Sequence, residues 1–159
     1  MRHHTKDKGD IGVGMVLADL MSRGIQVALT VSEHMPFDLV AISPTMELAR
    51  VQVKYRRLGT NGTISVKLKS SWADRSGSHD KVIDFSEVDG FAVYCLDVGK
   101  VFYVPVATCS ARTAAIHLRV SKSANNQEAR VRRAADHLDP NVLFADWRAR
   151  RDSNPRPAV

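Results

Sequence analysis

An aspartate in Pro36-Phe37-Asp38 and an amide-x-lysine in Gln52-Val53-Lys54 are the residues of this chain whose types and spacing could do chemistry. Hard cations such as Mg²⁺ take oxygen ligands, and Asp38 offers a carboxylate, Gln52 a side-chain carbonyl and Val53 a backbone carbonyl. An ion held there would offset charge on a scissile phosphate and lower the pKa of a coordinated water, so that hydroxide attacks in line at neutral pH. Lys54, two residues beyond Gln52 on the same strand face, could orient that water or stabilise the pentavalent state. An amide at Gln52 in place of a second acid removes one negative charge, which weakens metal binding but repels DNA less. Spacing alone favours a plainer arrangement over catalysis: Asp38 accepting backbone hydrogen bonds at a strand end, with Gln52 and Lys54 on a solvated sheet face.

Elements must bring these pieces together. Asp10 to Arg23 carries Ile11, Val13, Met15, Val16, Leu17, Leu20 and Met21 around most of a helix, which predicts a buried helix capped by Gly24. Gln26–Val31 and Phe37–Ile42 read as paired strands, with Ser43-Pro44-Thr45 as the next turn. Glu47 to Arg56 alternates strictly: Val51, Val53 and Tyr55 on one face, Arg50, Gln52, Lys54 and Arg56 on the other. Gly59-Thr60-Asn61-Gly62 predicts a hairpin turn into a strand over Thr63–Leu68, and Ser70 to Lys81 reads as a polar, irregular segment. Phe91–Leu96 and Lys100–Val104 predict a hairpin through Asp97-Val98-Gly99, Ala115–Val120 one more strand, and Gln127–Leu138 a helix. The expected organisation is one α/β domain over residues 1–140, a mixed central sheet flanked by helices, and a basic, disordered tail over 141–159.

The 159-residue length suits one domain, and no apolar run approaches the roughly 20 residues of a membrane helix. The basic N-terminus leads into no signal-peptide core, so a cytoplasmic location is expected. Cys95 and Cys109 stand alone, and the six histidines form no HxH or HExxH pattern, which argues against zinc. A net charge of +6 favours a polyanionic partner. The excess is local: no Asp or Glu falls between Leu48 and Ala73, whereas Arg50, Lys54, Arg56, Arg57, Lys67 and Lys69 do. Arg50, Arg56, Arg57, Lys67 and Lys69 are therefore the candidates for phosphate contact, although Lys and Arg also protect ordinary edge strands. A second excess at Arg130, Arg132, Arg133, Arg148, Arg150 and Arg151 is diluted by acids.

Several segments, in order, resemble the PD-(D/E)XK endonuclease family associated with group I introns: Lys8-Gly9-Asp10-Ile11-Gly12, Pro36-Phe37-Asp38-Leu39, Val51-Gln52-Val53-Lys54-Tyr55, Phe91-Ala92-Val93-Tyr94, Val101-Phe102-Tyr103-Val104-Pro105 and Asn125-Asn126-Gln127. The Gln-x-Lys variant is a trait of its homing endonucleases. The resemblance implies a restriction-endonuclease-like core, Mg²⁺-dependent double-strand cleavage of DNA with Mn²⁺ as a substitute, and a homodimer or homotetramer. It places Asp38, Gln52 and Lys54 at matching catalytic positions. Where the family helix carries Glu after Lys-Gly-x-x-Gly, this chain has Val13, which can bind neither metal nor water. Either another acid substitutes, with Asp10 the first candidate and Glu33 and Glu47 behind it, or the site is impaired.

Three functions follow: an intron homing endonuclease cutting long DNA targets, a DNA-binding protein of the same fold that has lost cleavage, and a nuclease specific for four-way junctions. The segment Arg151-Asp152-Ser153-Asn154-Pro155-Arg156-Pro157 looks like a reading frame running into a tRNA-gene T-arm, which fits an intron in a tRNA gene or an accidental overlap.

Overall fold

The computed structural model of the protein describes residues 4–32, 34–110, 112–122, 131–145 and 147. It opens with helix α1 (His4–Ser22), followed by strands β1 (Gln26–Leu29), β2 (Leu39–Ile42) and β3 (Leu48–Arg56). Next come β4 (Thr63–Lys67), β5 (Lys69–Asp74), β6 (Gly77–Val82), β7 (Gly90–Cys95), β8 (Lys100–Pro105), β9 (Ala115–Arg119) and β10 (Arg132–Arg133). Short 3-10 helices at Val106–Thr108, Ala134–His137 and Pro140–Phe144 complete the described chain.

A five-stranded sheet in the order β1-β2-β3-β7-β8 forms the centre, antiparallel except where β3 and β7 run parallel. Parallel neighbours need a crossover, because no tight turn can join them. Here the crossover carries β4, β5 and β6, and β4 joins β9 and β10 in a separate three-stranded sheet. This is a mixed α/β fold.

Alternation along β3 separates two cores. Ala49 and Val51, with half-buried Val53 and Tyr55, face α1, together with Leu39, Ala41, Ala92, Tyr94 and Tyr103. Phe91, Val93 and Cys95 of β7 face the other way, towards Ile64, Val66, Ile116 and Leu118 of the three-stranded sheet. The odd positions of β3 therefore belong to the helix side, and Arg50, Gln52, Lys54 and Arg56 to the side of the second sheet.

The helix buries one stripe rather than its whole surface. Gly12, Val16 and Leu20, spaced four apart, press onto the sheet, whereas Ile11, Met15 and Met21 stay exposed. Its end is a Schellman turn: Gly24 takes φ +76°, its N–H donates to the Met21 carbonyl, and the Ile25 N–H donates to the Leu20 carbonyl. Buried Leu20 and Ile25 supply the hydrophobic contact of that motif. A polar tie completes the docking, since the Tyr103 hydroxyl donates to Asp19 Oδ2 at 2.6 Å. Burial and that carboxylate raise the Tyr103 phenol above its ordinary pKa.

Several expectations change. The turn at residues 59–62 forms, with Gly59 N–H donating to the Thr63 carbonyl, but it leads from β3 into another sheet instead of closing a β3–β4 hairpin. Ser70 to Lys81 forms a two-stranded ribbon, because backbone pairing around the Arg75-Ser76 turn needs no apolar alternation. Of the helix expected at Gln127–Leu138, residues 127–130 lie outside the described residues, and the rest forms β10 and a 3-10 turn. Tertiary contacts override propensity there: the Arg132 guanidinium donates to the Thr108 hydroxyl and carbonyl, and Ala134 is buried. The folded body continues past the boundary expected at residue 140, with Leu143 1% and Phe144 0% exposed in the helix-side core. Leu143 packs so closely over Gly90 that a Cβ there would meet its Cδ2 at 2.4 Å. Residues 148–159 of the expected tail lie outside the described residues. No helix among the described residues is long and apolar enough to cross a membrane.

Candidate active site

Asp38 stands just before β2, where the β2 and β3 backbones begin to part. Its N–H donates to the Val51 carbonyl at 3.0 Å, and its Oδ2 accepts from the Val53 N–H at 2.6 Å. The carboxylate thus replaces a backbone acceptor and extends the pairing by one step along β3. The Asp38 carbonyl in turn accepts from the N–H and hydroxyl of Thr30, the residue that follows β1.

Carbonyl directions along β3 follow from its two neighbours. Arg50 and Arg56 carbonyls accept from Asp89 and Leu96 on the β7 side, while the Val51 carbonyl accepts from Asp38 on the β2 side. An extended residue turns its N–H and C=O to the same side, so the Val53 carbonyl faces the side of Asp38. Gln52 and Lys54 lie in register with Phe91 and Val93 of β7. Gln52 Oε1 is buried and has no hydrogen-bond partner among the described residues. Such an orphaned oxygen costs about 1–3 kcal/mol unless something donates to it or coordinates it.

Electrostatics at the site are unbalanced in a specific way. Burial pushes the Asp38 carboxyl above its ordinary pKa, against the opposing pull of the Val53 N–H and the Lys54 charge. Burial, with the nearby Arg56 charge, holds the Lys54 ammonium below its ordinary value, and Asp38 only partly offsets this. Burial lowers the Arg56 guanidinium as well. The surroundings therefore undersupply a cation for Asp38 and an anion for Lys54 and Arg56. Asp38, Gln52 and Val53 form an oxygen donor set that suits a hard divalent cation, and the unpartnered Gln52 Oε1 is the atom such an ion would satisfy. Among the described residues no group of three or more His, Cys, Asp or Glu could hold a metal, so one carboxylate and amide oxygens would have to suffice.

A family model described as PD-(D/E)XK endonuclease matches residues 3–140. The chain belongs to the PD-(D/E)XK endonuclease family. Among solved structures it is similar to a bacterial homing endonuclease, I-Ssp6803I, with 19% identity, a TM-score of 0.72, and coverage of 96% of this chain and all of that one. No curated protein matches.

Of the acids weighed as a substitute for Val13 on this PD-(D/E)XK scaffold, the structure describes Asp10 and Glu47. Val13 is half-buried in α1, and Asp10 is exposed, with no hydrogen-bond or ion-pair partner among the described residues. Glu47 sits at the opposite end of β2 from Asp38, where its Oε2 accepts from Ser43 and Thr45 hydroxyls at 3.2 Å and organises the β2–β3 turn. Glu33 lies outside the described residues, as do Asn125, Asn126 and Gln127.

The basic strip divides. Arg50 is clamped by buried Asp89 through two hydrogen bonds, from Nε at 3.0 Å and Nη2 at 2.9 Å, and so braces β3 against the start of β7. Arg57 pairs with Asp97 at 2.7 Å on the surface. Arg56 donates to the Tyr55 carbonyl at 2.8 Å. Lys67 is exposed at the end of β4, and Lys69 opens β5. Asp89 and Asp97 lie some forty positions from their arginines, which hid both pairs from a reading of local charge.

Proposed function

We propose that the protein is a divalent-metal-dependent DNA endonuclease that makes site-specific double-strand cuts, with Asp38, Gln52 and Lys54 as its catalytic residues. The observation that carries this reading is the buried, unpartnered Gln52 Oε1 one residue from the Val53 N–H that Asp38 holds. Asp38, Gln52 and the Val53 carbonyl would hold Mg²⁺ or Mn²⁺. The ion, when bound, neutralises charge on the scissile phosphate and acidifies water.

The chain's own residues do the rest. Asp38, fixed by Val53, sits half-buried, where an added cation beside its carboxylate gains most. Gln52 contributes an oxygen without a second negative charge beside the DNA phosphates. Lys54, with its ammonium partly desolvated, donates hydrogen bonds to phosphoryl oxygens as their charge grows, and Arg56 adds a second positive group beside it. Cutting at a defined long site draws support from the likeness to a solved homing endonuclease and from the Gln-x-Lys pattern. Assembly into a dimer or tetramer would pair two such sites for the two strands.

The test is incubation with a supercoiled plasmid library carrying randomised inserts. Mg²⁺ should yield linear product, EDTA should stop it, and Lys54→Ala should lower the rate at least about a hundredfold while DNA binding persists. Cleavage that survives Lys54→Ala rejects these catalytic assignments.

A further inference from the structure

Strands β5 and β6 pair with each other along their whole length, from Lys69 opposite Val82 to Asp74 opposite Gly77, and with neither sheet. Their stem is fixed. Leu68 and Ile83 are both buried in the second core, and the Ile83 N–H donates to the Leu68 carbonyl at 3.3 Å. Beyond the stem the environment changes at once: Lys81 and Val82 are exposed, and so are Arg75, Ser76 and Gly77 at the tip. Ser76 Oγ and His79 Nε2, 2.9 Å apart, bridge the turn.

A two-stranded ribbon is marginally stable alone, and the stem ties this one to the second core. Its dimensions suit a particular partner. Strands of six residues reach about 20 Å, and the major groove of B-DNA, about 12 Å wide and about 8.5 Å deep, admits a two-stranded ribbon. Arg75 at the tip has no hydrogen-bond or ion-pair partner among the described residues, and a guanidinium matches the O6 and N7 acceptors of guanine with two parallel donors.

We infer that the β5–β6 ribbon is the base-reading arm of this nuclease, entering the major groove with Arg75 donating to a guanine edge. The inference rests on the DNA-cleaving reading above and deepens it: phosphate cleavage belongs to β3, and sequence choice to the ribbon. A lysine at the tip would supply a charge but not the fork.

Binding selection from a randomised duplex library, in buffer without divalent metal, compares wild type with Arg75→Ala and Arg75→Lys. Wild type should enrich a consensus containing a guanine whose preference falls about ten- to a hundredfold in Arg75→Ala, with Arg75→Lys recovering only part of it. A thermal melt at the wild-type midpoint confirms that the variants fold. An unchanged consensus in Arg75→Ala overturns the assignment. So does weakening that is uniform across all sequences with a salt slope reduced by about one, which would make Arg75 a phosphate contact. The plasmid assay separates this inference from the nuclease reading. A consensus lost in Arg75→Ala, without any Mg²⁺-dependent cutting by wild type, sinks the nuclease and keeps the reading arm. Cutting at a site that Arg75→Ala shares sinks only the arm, and neither enrichment nor cutting sinks both.

Discussion

Asp38 holds β2 to β3 and, in the function proposed above, would also hold a cation, and the two tasks make different demands on its side chain. As an acceptor for the Val53 N–H it needs only an oxygen, whereas as a ligand for a cation it needs a charge. Asp38→Asn separates them, because an amide oxygen still accepts from Val53. Since burial disfavours the ionised carboxylate, the variant's metal-free thermal midpoint should be no lower than wild type. Mg²⁺-dependent cleavage should fall at least about a hundredfold, and the rise in melting temperature on adding Mg²⁺ should vanish. A drop in the metal-free midpoint would mean that the charge, not the oxygen, holds β2 to β3. The Asp38 and Gln52-x-Lys54 pattern was legible in the chain because alternation along one strand fixes which side chains share a face. The Asp38–Val53 bond was not, because it depends on where two backbones separate.

At the scale of elements, the segment after residue 139 shows how packing extends a domain beyond its sequence signals. Asp139 Oδ1 accepts from the Asn141 N–H at 3.0 Å and starts the 3-10 turn that carries Leu143 and Phe144 into the core. Leu143→Ala should cost about 2–5 kcal/mol in urea denaturation, a surface-like value being the outcome that would count against this packing. Gly90→Ala should also destabilise, by about 1–3 kcal/mol, because the added methyl meets Leu143 and, at 3.1 Å, the Val104 carbonyl. Combining the two should cost less than their sum, since the smaller residue 143 makes room for the larger residue 90. No residue in this stretch alternates or repeats over a long enough span to announce itself, which is why a sequence boundary at 140 looked natural.

Across the whole molecule, charge is redistributed by the fold. Arg50→Ala should destabilise the protein by about 1.5–3 kcal/mol, because it leaves buried Asp89 without its charged donors, yet should barely change the salt dependence of DNA binding. Lys67→Ala should do the reverse, leaving stability near wild type and reducing the slope of log affinity against log salt by about one. Equal salt slopes for the two variants would remove Lys67 from the DNA-facing surface. The sequence by itself determined the mixed α/β class, the order of most strands, the Gly24 helix end and the strand that carries Gln52 and Lys54. Those features rest on periodicity and local turn chemistry, which neighbouring residues encode. Only the tertiary structure decided which arginines are spent on Asp89 and Asp97, that β4 leaves its neighbour for a second sheet, that Ser70 to Lys81 stands out as a ribbon, and that one face of α1 stays exposed. Each of those depends on partners distant along the chain, brought together by burial of two cores on opposite faces of one sheet.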